Sequence, residues 1–163
     1  MLFLHLVLLF TIFQVHAQSI PDEWLILGPI PVAPSPGEEM SEEAQTAAFN
    51  NDYLDPATLS KVKPGQKVSL NGINYSWTSL KVENQIISLD KLYDTVDYAS
   101  AYGWVEFKSA ESKKVLLGVG SDDGVKVWVN GELVHDNWIP RGIQPDNDLV
   151  PVMLKKGKNH ILL

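Results

Sequence analysis

The chain has 163 residues, a net charge of −7 and no cysteine. Without thiols there are no disulfides, so the fold must rest on packing and hydrogen bonding. The acidic balance argues against nucleic acid and anionic membranes as partners, because both call for a basic face.

Met1 to Ala17 holds no acidic residue, carries a run of Leu, Val, Ile and Phe, and ends Val15-His16-Ala17. This pattern predicts an export signal cleaved after Ala17, although the n-region lacks Lys and Arg. The apolar run is shorter than the roughly 20 residues a bilayer requires, and Thr11 and Gln14 interrupt it. Residues 18–163 are then expected as one domain, secreted, periplasmic or on the cell surface, with no membrane insertion after cleavage. A bacterial lipoprotein is excluded, because its lipidated cysteine is missing. A domain of this size buries roughly two-thirds of its unfolded surface.

Trp24-Leu25-Ile26-Leu27 predicts a buried strand stopped by Gly28-Pro29. Residues 30–52 are rich in proline and glutamate and predict a loop with a short helix capped by Ser41. Asp55-Pro56 has the chemistry of a second helix start, ending near Lys63-Pro64-Gly65. Beyond it the periodicity is two. Strands are predicted over 73–80, 85–89, 98–108 and 113–119, the last two as antiparallel neighbours. Val125, Val127 and Val129 alternate with Lys126, Trp128 and Asn130, and Asn130-Gly131 predicts a tight hairpin. A polar loop covers 136–148, and 149–163 reads as a final hairpin about Lys156-Gly157. Short strands with Gly and Pro punctuation predict an all-β, antiparallel, jelly-roll-like β-sandwich with short helical turns in its N-terminal loops. Asn159 to Leu163 stops as an apolar strand with no polar tail, and domain ends are usually polar. The polypeptide is therefore expected to continue, and a covalently linked downstream domain is the expected partner.

Two of the four histidines, His5 and His16, fall in the leader, which leaves His135 and His160. His135-Asp136 has the composition of half a catalytic triad, but neighbouring strand residues point to opposite faces. Ser121 lies outside any G-x-S-x-G elbow. Residues 118–124 (GVGSDDG) have the wrong spacing for a phosphate loop, and a strand follows where a helix should. No catalytic residue is assigned. The oxygen donors Asp122, Asp123, Asp136, Asn137, Asp146 and Asp148 suit calcium if the loops converge, and otherwise act as turn-formers. Among the tryptophans, Trp24, Trp77 and Trp104 are core candidates, while Trp128 and Trp138 are candidate ligand platforms. Asn74-Tyr75-Ser76 is a glycosylation sequon, meaningful only in a eukaryotic host.

The stretch Gly120-Ser121-Asp122-Asp123-Gly124-Val125-Lys126-Val127-Trp128-Val129-Asn130-Gly131, followed by Asp136-Asn137-Trp138, resembles the signature of the anthrax protective-antigen-type β-sandwich lectin family. Leu154-Lys155-Lys156-Gly157-Lys158-Asn159 resembles that family's later hairpin. Trp24 to Pro29 and Ala101 to Val105 resemble N-terminal modules of secreted bacterial hydrolases, with Ile30 where Phe is usual. The resemblance covers Ala99 to the end and is thin between Val32 and Tyr98. It implies calcium on Asp122 and Asp123, with Asn137 from the facing loop, and a bound glycan. The expected function is a non-catalytic carbohydrate-binding or accessory module. The alternatives are the N-terminal part of a larger secreted hydrolase, and a structural module with no small ligand.

Overall fold

The computed structural model describes residues 20–35, 37–83, 86–93 and 98–163. The export signal expected over 1–17 lies outside the described residues. The fold is all-β and sandwich-like, as the periodicity predicts. One six-stranded antiparallel sheet forms its centre, built from β1 (Glu23–Pro31), β4 (Thr78–Lys81), β5 (Ala99–Ser109), β7 (Val125–Val129), β8 (Glu132–Asn137) and β10 (Gly157–Leu162) in the order β4-β1-β5-β10-β7-β8. Two smaller ladders accompany it. A hairpin joins β2 (Lys67–Leu70) to β3 (Ile73–Ser76), and β6 (Lys113–Val119) pairs with β9 (Asp148–Leu154).

Both faces of the central sheet are covered, which explains why its strands read as nearly continuous apolar runs. Alternate residues Trp24, Ile26, Val105, Phe107, Val127 and Ile161 pack with Val119, Val150, Val152 and Leu154 from the β6-β9 layer. The intervening residues Leu25, Leu27, Trp104, Trp128 and Leu162 pack with Leu59, Val62, Leu70 and Trp77 from the opposite side. The core tryptophans Trp24, Trp77 and Trp104 are all buried, as expected. Trp104 also fixes the 53–62 segment, donating its indole N–H to the Leu59 carbonyl at 3.0 Å.

The local signals hold at the caps and the hairpin. Helix α1 (Glu42–Phe49) starts at Ser41, whose hydroxyl accepts from the Ala44 N–H. Asp55 caps a single 3₁₀ turn, Pro56–Thr58, so the second helix is far shorter than expected. Asn130 and Gly131 adopt φ values of 55° and 84°, as a two-residue hairpin turn demands.

Two pairings and three elements differ from expectation. The 98–108 and 113–119 strands are not neighbours: both edges of β5 are taken by β1 and β10, so β6 crosses to the outer layer and pairs with β9. For the same reason 149–163 is no hairpin, and its two strands belong to different layers. The strand expected over 73–80 is broken at Trp77. Its backbone bonds back to Gln66 and Gly65 while its ring is buried, and the chain re-emerges as β4 on the edge beside β1. In place of a strand over 85–89, the described residues form an isolated bridge between Glu83 and Ile86, then the short helix α2 (Asp90–Tyr93). β1 runs on through Gly28-Pro29, with an irregular register between Leu27 and Ile30.

Candidate functional site

The polar loops meet at one end of the sandwich. Turn 120–124 links β6 to β7, and loop 138–147 returns from β8 to β9 directly across it. The approach is close: a Cβ on Gly120 would run into the Gln144 carbonyl, so only glycine allows the two loops to touch. Asp122 and Asp123 sit exposed on the turn, and the peptide between them is cis.

The centre of this end is Asp148, the first residue of β9. Arg141 grips its carboxylate with both terminal nitrogens, at 3.3 Å to Oδ1 and 2.6 Å to Oδ2. His135 Nε2 stands 3.1 Å from Oδ2, and the Asn137 amide donates to the same oxygen at 3.5 Å. A carboxylate only accepts here, so His135 carries its proton on Nε2. Arg141 also donates to the Ser121 hydroxyl at 2.8 Å, and its backbone N–H donates to Asp123 Oδ1 at 3.0 Å. Both side chains of the ion pair are largely buried, 13% exposed for Arg141 and 18% for Asp148. The Arg141 hydrogen bonds, followed by those of His135 and Asn137, lower the Asp148 pKa to about 2 against the cost of burial. Because the folded value is depressed, the pair's stabilisation is full above the ordinary carboxylate range. It fades only as pH falls toward about 2.

A second group flanks the turn. The Trp138 ring packs 5.3 Å from the Phe49 ring at the end of α1, over Gly124. Lys126 Nζ lies 5.2 Å from the Phe49 centroid and 2.8 Å from Asp52 Oδ1. Trp138 is half-buried.

These positions sort the candidates. Asp122, Asp123 and Trp138 do share one end of the molecule. Trp128 does not serve as a platform: it alternates against the valines, but the face opposite them is a second core, and its ring is 6% exposed. Asn137 bonds to Asp148. Asp136 points outward, opposite Lys126, while His135 turns to Asp148, so the adjacent pair is split between faces as expected. Ser121 donates to the Asp123 carbonyl at 2.6 Å and accepts from Arg141, so its hydroxyl is not aimed at an imidazole. Sequence reasoning missed Arg141, Phe49 and Lys126. One signal pointed to the first: Arg141 is the chain's only arginine, set in an acid-rich loop.

Calcium takes six to eight oxygens, and the arrangement does not fit it. Arg141 already engages one Asp123 oxygen and both Asp148 oxygens, and Asn137 is drawn to the same carboxylate. Among the described residues no three His, Cys, Asp or Glu gather in a metal-holding group. Comparison with protein-family models, curated proteins and solved structures returned no match.

Proposed function

We propose that the chain is an exported, non-catalytic β-sandwich module of the protective-antigen lectin-like type, and that it binds carbohydrate at the 120–124 end. The observation that carries this reading is the pairing of exposed Asp122 and Asp123 with the partly buried Trp138 beside the same turn. Sugars present vicinal hydroxyls on one side and an apolar C–H face on the other. Carboxylates accept from the hydroxyls, and an aromatic ring packs on the C–H face. Rigid strands on both sides of the turn hold these groups in place. Export follows from the Met1–Ala17 pattern. The accessory role, presenting a linked catalytic domain to a polysaccharide, follows from the resemblance to hydrolase N-terminal modules.

The test is a glycan array probed with residues 18–163, run once with EDTA and once with calcium. Binding that is equal in both buffers, and lost in folded Asp122→Ala and Trp138→Ala variants, is the expected result. A blank array in both buffers refutes the carbohydrate reading and leaves a structural module in its place.

A further inference from the structure

Three separate segments must be held together at the loop end: the 120–124 turn, the 138–147 loop and the start of β9. The turn and the start of β9 present oxygen atoms to one residue of the loop, Arg141. Ser121 Oγ and both Asp148 carboxylate oxygens receive the Arg141 guanidinium, and Asp123 Oδ1 receives its backbone N–H. Gathering carboxylate and hydroxyl oxygens from distant loops around one positive centre is the task that bound calcium performs in many extracellular loops. We propose that Arg141 is the built-in cation of this end, so that the candidate binding site is shaped without a metal.

The donor count supports this. A carboxylate has about four acceptor positions. Asp148 meets four donors: two from Arg141, one from His135 and one from Asn137. A metal would find Oδ2, which meets three of the four donors, already crowded and would face a guanidinium beside it. A planar fork also suits the task better than lysine, because it spans both Asp148 oxygens and reaches Ser121 at once. The sequence is consistent with a dedicated role, since twelve of its thirteen basic residues are lysine and the one arginine stands here. Arg141 is therefore a positioning residue, acting through Asp148, Ser121 and Asp123.

The proposal is independent of any sugar, and its test needs none. Thermal unfolding and amide hydrogen exchange of residues 18–163 are measured in EDTA and in millimolar calcium. Wild type is expected to give the same curves in both. Arg141→Ala in EDTA is expected to speed exchange in 138–147 by about tenfold or more, since charge-assisted bonds are lost. Calcium is then expected to slow that exchange again, because the freed oxygens of Asp148 and Ser121 offer the vacated place to an ion. Arg141→Lys, which keeps the charge without the fork, is expected to fall between the two and carries the same test if Arg141→Ala does not fold. Calcium stabilisation of wild type overturns the proposal. So does a variant loop that exchanges no faster, or one that loosens and ignores calcium, which reduces Arg141 to a simple structural latch.

Discussion

Asn159 offers the sharpest test of how the two layers are tied. It is 1% exposed in β10, yet its polar atoms are fully matched. Its amide nitrogen donates to the carbonyls of Lys155 at 2.8 Å and Gly157 at 3.1 Å. Its oxygen accepts from the Lys155 N–H at 2.9 Å and from Asn130 Nδ2 at 3.0 Å. Asn130 in turn accepts from the His160 N–H at 3.1 Å, so one side chain locks the β9–β10 crossover to the β7–β8 hairpin. Asn159→Ala removes four hydrogen bonds, each with a net worth of about 1 kcal/mol. Lys155 is exposed and its backbone groups can turn to water, so the expected loss is about 3 kcal/mol rather than the full sum. For a domain of this size that lowers Tm by about 6–12 °C. Asn159→Asp has the same shape but places a carboxylate against two carbonyls, so it should destabilise more than alanine does. Urea and thermal unfolding of the three proteins decide the matter. A loss below about 1 kcal/mol for Asn159→Ala, or an aspartate variant as stable as wild type, refutes the reasoning.

Two further outcomes are expected. His160 stacks on Trp104 at 6.3 Å, its Nε2 is buried with no partner among the described residues, and burial lowers its pKa despite the opposing pull of Glu106. The folded state therefore prefers neutral imidazole, and stability falls as pH drops below the ordinary histidine value of about 6.5. Unfolding of His160→Gln across pH 5–8 should show a flatter profile in that window, and an unchanged slope contradicts it. Trp128→Ala should cost about 3–5 kcal/mol as a core truncation. Whatever protein remains folded should bind the same ligands as wild type, which equilibrium unfolding and the glycan array measure separately.

The fold was legible where a local rule has one solution. Asn130-Gly131 can hardly be anything but a tight hairpin turn, and Ser41 and Asp55 cap because their side chains reach the free N–H groups that follow. Strand partners were a different matter. The sequence between β5 and β6 reads as a hairpin connection, and only the competition from β1 and β10 for the edges of β5 sends β6 elsewhere. The same competition separates β9 from β10. Trp128 was misjudged for a related reason. Alternation says which residues share a face, but it is silent on whether that face is solvent or a second core. The Leu59 to Trp77 segment, whose own pattern is weak, covers it.

At the loop end the limit was one of charge assignment. Six oxygen-bearing side chains between 122 and 148 read as turn-formers or, if the loops converge, as calcium ligands, and in the structure Arg141 bonds two of them, Asp123 and Asp148. What proximity in sequence could not tell is that the charge is already in the chain. Arg141 lies only seven residues before Asp148, close enough for the loop to fold back and pair them as its ends are drawn together. An internal cation differs from a metal in one consequential way: it is covalently part of the chain and cannot diffuse away from the loop. The pairing also survives acidity that would strip calcium from ordinary carboxylates, since Asp148 titrates only at about 2. A loop end fastened in this way presents Asp122 and Trp138 in a fixed geometry that depends on no bound metal.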